Sequence, residues 1–154
     1  NNALIPMIGY NFGAKNRRRI ERITRYALLL SLGIMAAGTL LFELLPVPLL
    51  RLFNASDAML AIGVPGIRII SVSFCLAGAS VILCGCMQGL GRGKEPLAVA
   101  LLRQLIVILP AAVLLSHISL TAVWFAFPLA EAVGLAAAFL LHHRVRRRLL
   151  DKLS

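Results

Sequence analysis

The sequence predicts an all-α polytopic membrane protein, with four transmembrane helices preceded by the end of another. Three observations lead there. Of 154 residues, 60% are hydrophobic and only 14% charged, against roughly a quarter charged in a soluble domain, and the mean hydropathy is +0.89. Four apolar stretches follow one another, each near the roughly twenty residues that a helix needs to cross hydrocarbon. The basic residues gather at the ends of those stretches. No water-soluble core of this length buries so much apolar side chain, so lipid is the solvent for much of the surface.

Residues 1–12 read as the end of a preceding transmembrane helix, because Ala3 to Ile8 is only about a third of a span. The chain opens without an initiator Met or a signal peptide and is expected to be part of a longer protein. Gly9, Tyr10, Asn11, Gly13 and Lys15 form a glycine-punctuated turn running into the basic segment 13–25, which holds six Lys or Arg and one acid, Glu21. The first span is 26–45. It carries Glu43 near its far end and a small-residue patch, Gly33, Ala36, Ala37 and Gly38, that permits close helix approach. Pro46-Val47-Pro48 ends it, and Leu49 to Phe53 is short and amphipathic, suited to the far interface.

Ser56 or Asp57 is a natural N-cap for the next helix, which spans 64–87 and which Pro65 is expected to kink. Ser71, Cys75, Gly78, Ile82, Gly85 and Gly89 recur along it at three- and four-residue steps, the spacing of a helix-packing face. A second turn runs from Gln88 through Gly91 to Pro96. The third span, 97–116, contains Arg103, Gln104 and Pro110; after a tight turn at His117 the last span, 118–141, contains Trp124, Pro128 and Glu131. A basic tail, 144–154, closes the chain.

Composition excludes several function classes. A formal net charge of +10 suggests nucleic acid in a soluble protein, but here the charge flanks apolar runs and lacks an exposed face with interleaved aromatics. The glycines around Lys94 lack the spacing and the preceding strand of a phosphate-binding loop. Cys75, Cys84 and Cys86 lie in one apolar run and read as small packing residues, not a disulfide framework or metal site. His142 and His143 suit the carbonyl end of a helix better than a metal. Asn54-Ala55-Ser56 matches a glycosylation acceptor, a pattern common by chance. No cluster of His, Cys or carboxylates presents a catalytic constellation, so an enzyme is not expected, nor a metal or cofactor.

The basic residues also set the orientation. Segments 13–25, 88–96 and 142–154 hold six, two and five of the sixteen Lys and Arg, the other loops hold Arg51 alone, and Arg68 and Arg103 lie within spans. Four crossings put the three rich segments on one side, which the positive-inside rule makes cytoplasmic. Ionisable groups at membrane depth cost on the order of 2.5–3.5 kcal/mol by insertion scales unless paired or wetted, and they are the first candidates for function. Arg68 and Glu43 sit near the outer interface and can snorkel. Glu131 falls near the middle of the last span, three residues after Pro128, whose missing N–H is expected to leave a carbonyl without its partner. By helix rise, Arg103 lies at about the same depth on an antiparallel neighbour. Two readings stand: a pair that locks two helices, or a Glu131 that lines a watery cavity and meets protons or cations. Gln104 can serve either.

These residues resemble a known family. Ile8 to Asn16, Gly63 to Ile70, Gln88 to Lys94, Leu102-Arg103-Gln104 and Trp124 to Glu131 are similar, in this order, to segments in the C-terminal lobe of multidrug and toxic compound extrusion (MATE) transporters, with the bacterial drug-exporter and DNA-damage-induced branches nearest. The resemblance implies a parent of two six-helix lobes, of which this chain supplies the end of the eighth helix and helices nine to twelve. It implies an antiporter that moves organic, often cationic, drug-like compounds outward against inward protons or sodium, working with the rest of the transporter and the surrounding lipid in the inner (plasma) membrane. The acids that bind the coupling ion in that family fall on helices absent here, or on the helix at 58–87, whose membrane part has no Asp or Glu. Two alternatives are a lipid-linked precursor flippase of the same superfamily, which wants more cavity arginines than Arg103, and a non-transporting four-helix assembly subunit.

Overall fold

In a computed structural model, which describes residues 1–150, helix α1 (Leu4–Gly13) ends where Lys15 adopts a left-handed φ of 53°. The Asn16 N–H then donates back to the Asn11 carbonyl at 2.9 Å, capping the helix end. Helix α2 (Arg17–Leu44) starts at once, because Asn16 Oδ1 accepts the Arg19 N–H at 3.1 Å. The segment 13–25, expected as a turn, is therefore largely the first part of a helix: arginine is a good helix former, and Arg17 pairs with Glu21 one turn on at 3.1 Å. At 28 residues α2 is about 42 Å long by the α-helical rise, against about 30 Å of hydrocarbon.

Helix α2 stops at Leu44, and Pro46 opens the short α3 (Pro46–Arg51), the favoured place for a proline. Ser56 caps α4 (Asp57–Ser71), its Oγ accepting the Met59 N–H at 3.4 Å. Helix α4 continues through Pro65, where a kink was expected. The break falls instead at Val72–Ser73, before α5 (Phe74–Gly89), with a bend of 49°. Serine hydroxyls lie at the break: Ser73 Oγ donates to the Ile70 carbonyl at 2.7 Å, taking an acceptor that the next turn would use, and Ser71 Oγ sits 3.0 Å from the Arg68 carbonyl. Gly91, φ 74°, closes α5 as Lys15 closes α1, with the Arg92 N–H on the Met87 carbonyl at 2.9 Å.

The third span is not a uniform α-helix. It runs as α6 (Lys94–Leu101), a π-helical stretch Leu102–Ile108, and α7 (Leu109–Ser116), with Pro110 in the first turn of α7. A proline there has no N–H to give the preceding turn, and wider i→i+5 winding is one way a helix absorbs that. The last span begins with α8 (Leu120–Val123), capped by Ser119, and continues as α9 (Ala126–Leu149). Residues 144–149 of the expected tail are thus helical, and 151–154 lie outside the described residues. Three stretches, Arg17–Leu44, Lys94–Ser116 and Leu120–Leu149, are long and apolar enough to cross a membrane, and α4 with α5 makes a fourth if the bent pair counts as one span.

Helix α5 is the centre, packed by α1, α2, α6 and α9. The expected stripe does this packing: Ser71, Gly78, Ile82 and Gly85 are buried. A Cβ at Gly78 would lie 2.7 Å from Met35 Cγ, and one at Gly89 would lie 2.7 Å from Ile8 Cβ and 2.8 Å from the Ile5 carbonyl oxygen. Of the patch on α2, only Gly38 meets a neighbour, the Phe74 ring, while Gly33, Ala36 and Ala37 are exposed. Leu4, Ile8, Ile20, Cys86, Met87 and Val145 form the main core at the basic end. That end gathers all three basic segments, since Gly9 abuts Gly89 and Arg146 Nη2 lies 3.2 Å from Glu21 Oε1.

Gly89→Ala is therefore expected to destabilise the detergent-solubilised protein by roughly 1–3 kcal/mol, the usual cost of overpacking against backbone. Gly33→Ala, facing open space, should leave the melting temperature unchanged or raise it. Thermal melts of the two variants make the comparison.

Candidate functional site

Two charged pairs sit within the spans. In the first, Arg103 Nη1 donates to Glu131 Oε2 at 3.0 Å and Oε1 at 3.1 Å, joining the π-helical stretch to α9. Helix α9 supports this with a stripe of small buried residues four apart, Ala126, Ala130, Gly134 and Ala138. The Arg103 stem lies across Gly134, where a Cβ would come within 3.2 Å of Arg103 Cδ. Glu131, three residues earlier, then meets the guanidinium. The side chains are only 27% and 17% exposed, and Arg103 Nε is buried without a partner among the described residues. An unmade bond at such a donor costs about 1–3 kcal/mol, so the guanidinium is held by its carboxylate and has a donor to spare.

Pro128 does not contribute as expected. It occupies the first turn of α9, where N–H groups have no intrahelical acceptor, and the Trp124 carbonyl is satisfied by the Phe127 N–H at 3.3 Å. Gln104, also expected near the pair, is exposed and makes no hydrogen bond among the described residues. The loop residues do structural work: Gly9 faces Gly89, Asn11 Nδ2 donates to the Met7 carbonyl at 2.8 Å, and the Gln88 carbonyl accepts the Gly91 N–H at 2.9 Å. Gly13 ends α1, with Lys15 beyond it in the left-handed region, and Tyr10 is exposed.

The second pair was not foreseen. Glu43 and Arg68, read singly as snorkelling residues, face each other at 4.0 Å. Ser71 Oγ donates to Glu43 Oε1 at 3.0 Å, and Thr39 Oγ1 donates to the Ser71 carbonyl at 2.8 Å, so the α4–α5 break is tied to α2. A cavity of about 330 Å³ opens beside the pair, bounded across from it by Phe125 and Pro128. The signal was present: both residues fall near the same interface, and equal depth is the criterion that joined Arg103 to Glu131. The role of Gly134 was missed because a lone glycine gives no sign of which side chain will cross it.

The family model described as MatE matches residues 1–114. The chain belongs to the MatE family. Among curated MatE-type relatives, the multidrug export protein MepA of Staphylococcus saprophyticus subsp. saprophyticus is 23% identical over 150 residues, covering 97% of this chain and 33% of the relative. An inward-facing multidrug resistance MATE family transporter of the MOP superfamily has the same fold, with a TM-score of 0.88 at 22% identity over 99% of this chain and 36% of that one. An outward-facing structure of a transporter so described gives 0.87 at 22% identity, over 97% of this chain and 34% of the other. The chain thus spans about a third of the length of the MatE proteins it matches.

The pair lends itself to a double-mutant cycle. Glu131→Gln is expected to lower thermal stability more than Glu43→Gln, whose partner is looser and more exposed. Arg103→Leu combined with Glu131→Leu should recover part of the loss of either single change, with a coupling of roughly 0.5–3 kcal/mol. Additive losses would show that the two side chains do not support one another.

Proposed function

We propose that this chain forms part of a secondary active exporter that moves organic, often cationic, compounds outward against inward protons or sodium by alternating access. The observation that carries the reading is the near-equal likeness of its helix arrangement to an inward-facing and an outward-facing transporter. A unit whose internal packing suits both states can travel as one body while the cavity around it opens to either side. The ties described above fit that part: α5 is gripped by its neighbours, Arg103–Glu131 braces the π-helical stretch against α9, and Glu43–Ser71 braces the bend.

Within this unit Glu131 is the carboxylate best suited to sense the coupling ion. Protonation or an arriving cation weakens its hold on Arg103, whose buried Nε already lacks an acceptor among the described residues. The remaining partners are the rest of the transporter, membrane lipid and drug-like substrates, with no nucleic acid. No resident cofactor is involved, and the chemistry is carriage, not catalysis. The protein resides in the inner (plasma) membrane with segments 13–25 and 88–96 and the C-terminus in the cytoplasm.

Transport tests the reading in the full-length protein. In inverted vesicles a fluorescent organic cation should accumulate under a proton or a sodium gradient, and Glu131→Gln should slow it more than Glu43→Gln. No uptake under either gradient, from folded protein, overturns the exporter. For topology, Arg19→Cys in intact cells should resist a membrane-impermeant thiol reagent added outside and react after permeabilisation; labelling from outside reverses the orientation.

A further inference from the structure

We propose that the groove between α2 and α9 at the basic end of the bundle binds an anionic phospholipid, with its phosphate at Arg25 and Arg146 and an acyl chain running down the groove. The two helices both pack on α5. At the rim they are bridged by Glu21 and Arg146, and beside that bridge they part around a cavity of about 470 Å³. Its walls change character with depth. Arg25, His143 and Arg146 stand at the rim beside the core residues Ile20, Leu90 and Leu150, while Leu28, Leu29 and Phe139 line it farther along the span, over a floor of Leu83 and Cys86. A polar anionic head joined to a hydrocarbon chain has the same two-part character.

Charge complementarity selects the head. Glu21 is the one carboxylate lining the groove, and its Oε1 is shared by Arg17 at 3.1 Å and Arg146 at 3.2 Å. Arg22 and Arg25 make no ion pair among the described residues. Arg146 uses one nitrogen on Glu21 and, with five N–H donors on a guanidinium, keeps others for an oxyanion. A neighbouring hollow lined by Glu21, Arg22, Arg25, Tyr26 and Leu29 shares Glu21, Arg25 and Leu29 with the groove and places Arg22 beside it. Basic pockets between helices at headgroup depth are where anionic lipid heads settle. A soluble phosphate would satisfy the rim and leave the apolar walls uncovered; a zwitterionic lipid would cover the walls and bring a second positive charge to the arginines.

The test reads lipid retention, which is separate from transport and so fails or succeeds independently of the exporter reading. Full-length protein in detergent is titrated with phosphatidylglycerol, phosphatidylcholine or inorganic phosphate, and bound lipid is counted by native mass spectrometry. Phosphatidylglycerol should be retained in preference to phosphatidylcholine. Arg25→Gln should weaken that retention about fivefold, the effect of one basic residue at an anionic surface, while Arg51→Gln at the opposite end should leave it unchanged. Leu29→Trp, at an exposed position on the wall, should also reduce retention without altering charge. Equal retention of both lipids, inorganic phosphate competing the lipid away at equal concentration, or unchanged retention in both Arg25→Gln and Leu29→Trp would each overturn the proposal.

Discussion

Helix α5 has to be narrow for anything else to be where it is. Helix α1 crosses it at Gly89, α2 at Gly78, and α9 closes from the remaining side. Inside a bilayer there is little hydrophobic gain in bringing helices together, because lipid tails are as apolar as leucine; van der Waals contact at short range takes its place. Glycine shortens that range by removing the side chain altogether. The three basic segments converge on one end of the bundle as a result, since the helices that carry them are drawn to one axis.

Given that axis, the charges fall into register. Arg103 and Glu131 come from the π-helical stretch and α9, Glu43 and Arg68 from α2 and α4, Glu21 and Arg146 from the first and last long helices. Each pair joins elements distant in sequence, at three different levels of the bundle. The pairs differ in how dry they are: Arg103 and Glu131 are the more buried, Arg68 and Glu43 looser and wetter, Glu21 and Arg146 at the rim. Coulombic attraction within a pair strengthens as exposure to water falls, so the middle pair is the most tightly coupled of the three.

Much of this was legible in the residues. Hydropathy located the helices, basic segments their common end, and the spacing of Gly78, Ile82 and Gly85 the face that α5 buries. Equal depth on two spans joined by a tight turn brought Arg103 to Glu131. What remained hidden depends on contacts no spacing rule reports. Pro65 lies in a helix that continues past it, while Ser73, eight residues on, diverts a carbonyl at the break. The arginines of 17–25 look like a loop because they are charged, yet they extend a helix whose cap is Asn16. The π-helical winding is a whole-segment response to Pro110, and Gly134 acquires its purpose only from the arginine lying over it.

The length of α2 has a mechanical consequence. Between Arg25 and Glu43 lie seventeen uncharged residues, about 26 Å at the α-helical rise, while the whole helix is half as long again. Nearly all of the excess is at the arginine-rich end, and the uncharged stretch alone falls a little short of about 30 Å of hydrocarbon; snorkelling arginines or a locally thinner sheet of lipid must make up the difference. Helix α2 is thus anchored by guanidinium groups at one end and by the Glu43–Ser71 contact at the other. The bend between α4 and α5 is thereby fixed to the far end of α2, so its height in the membrane follows that of the longest helix.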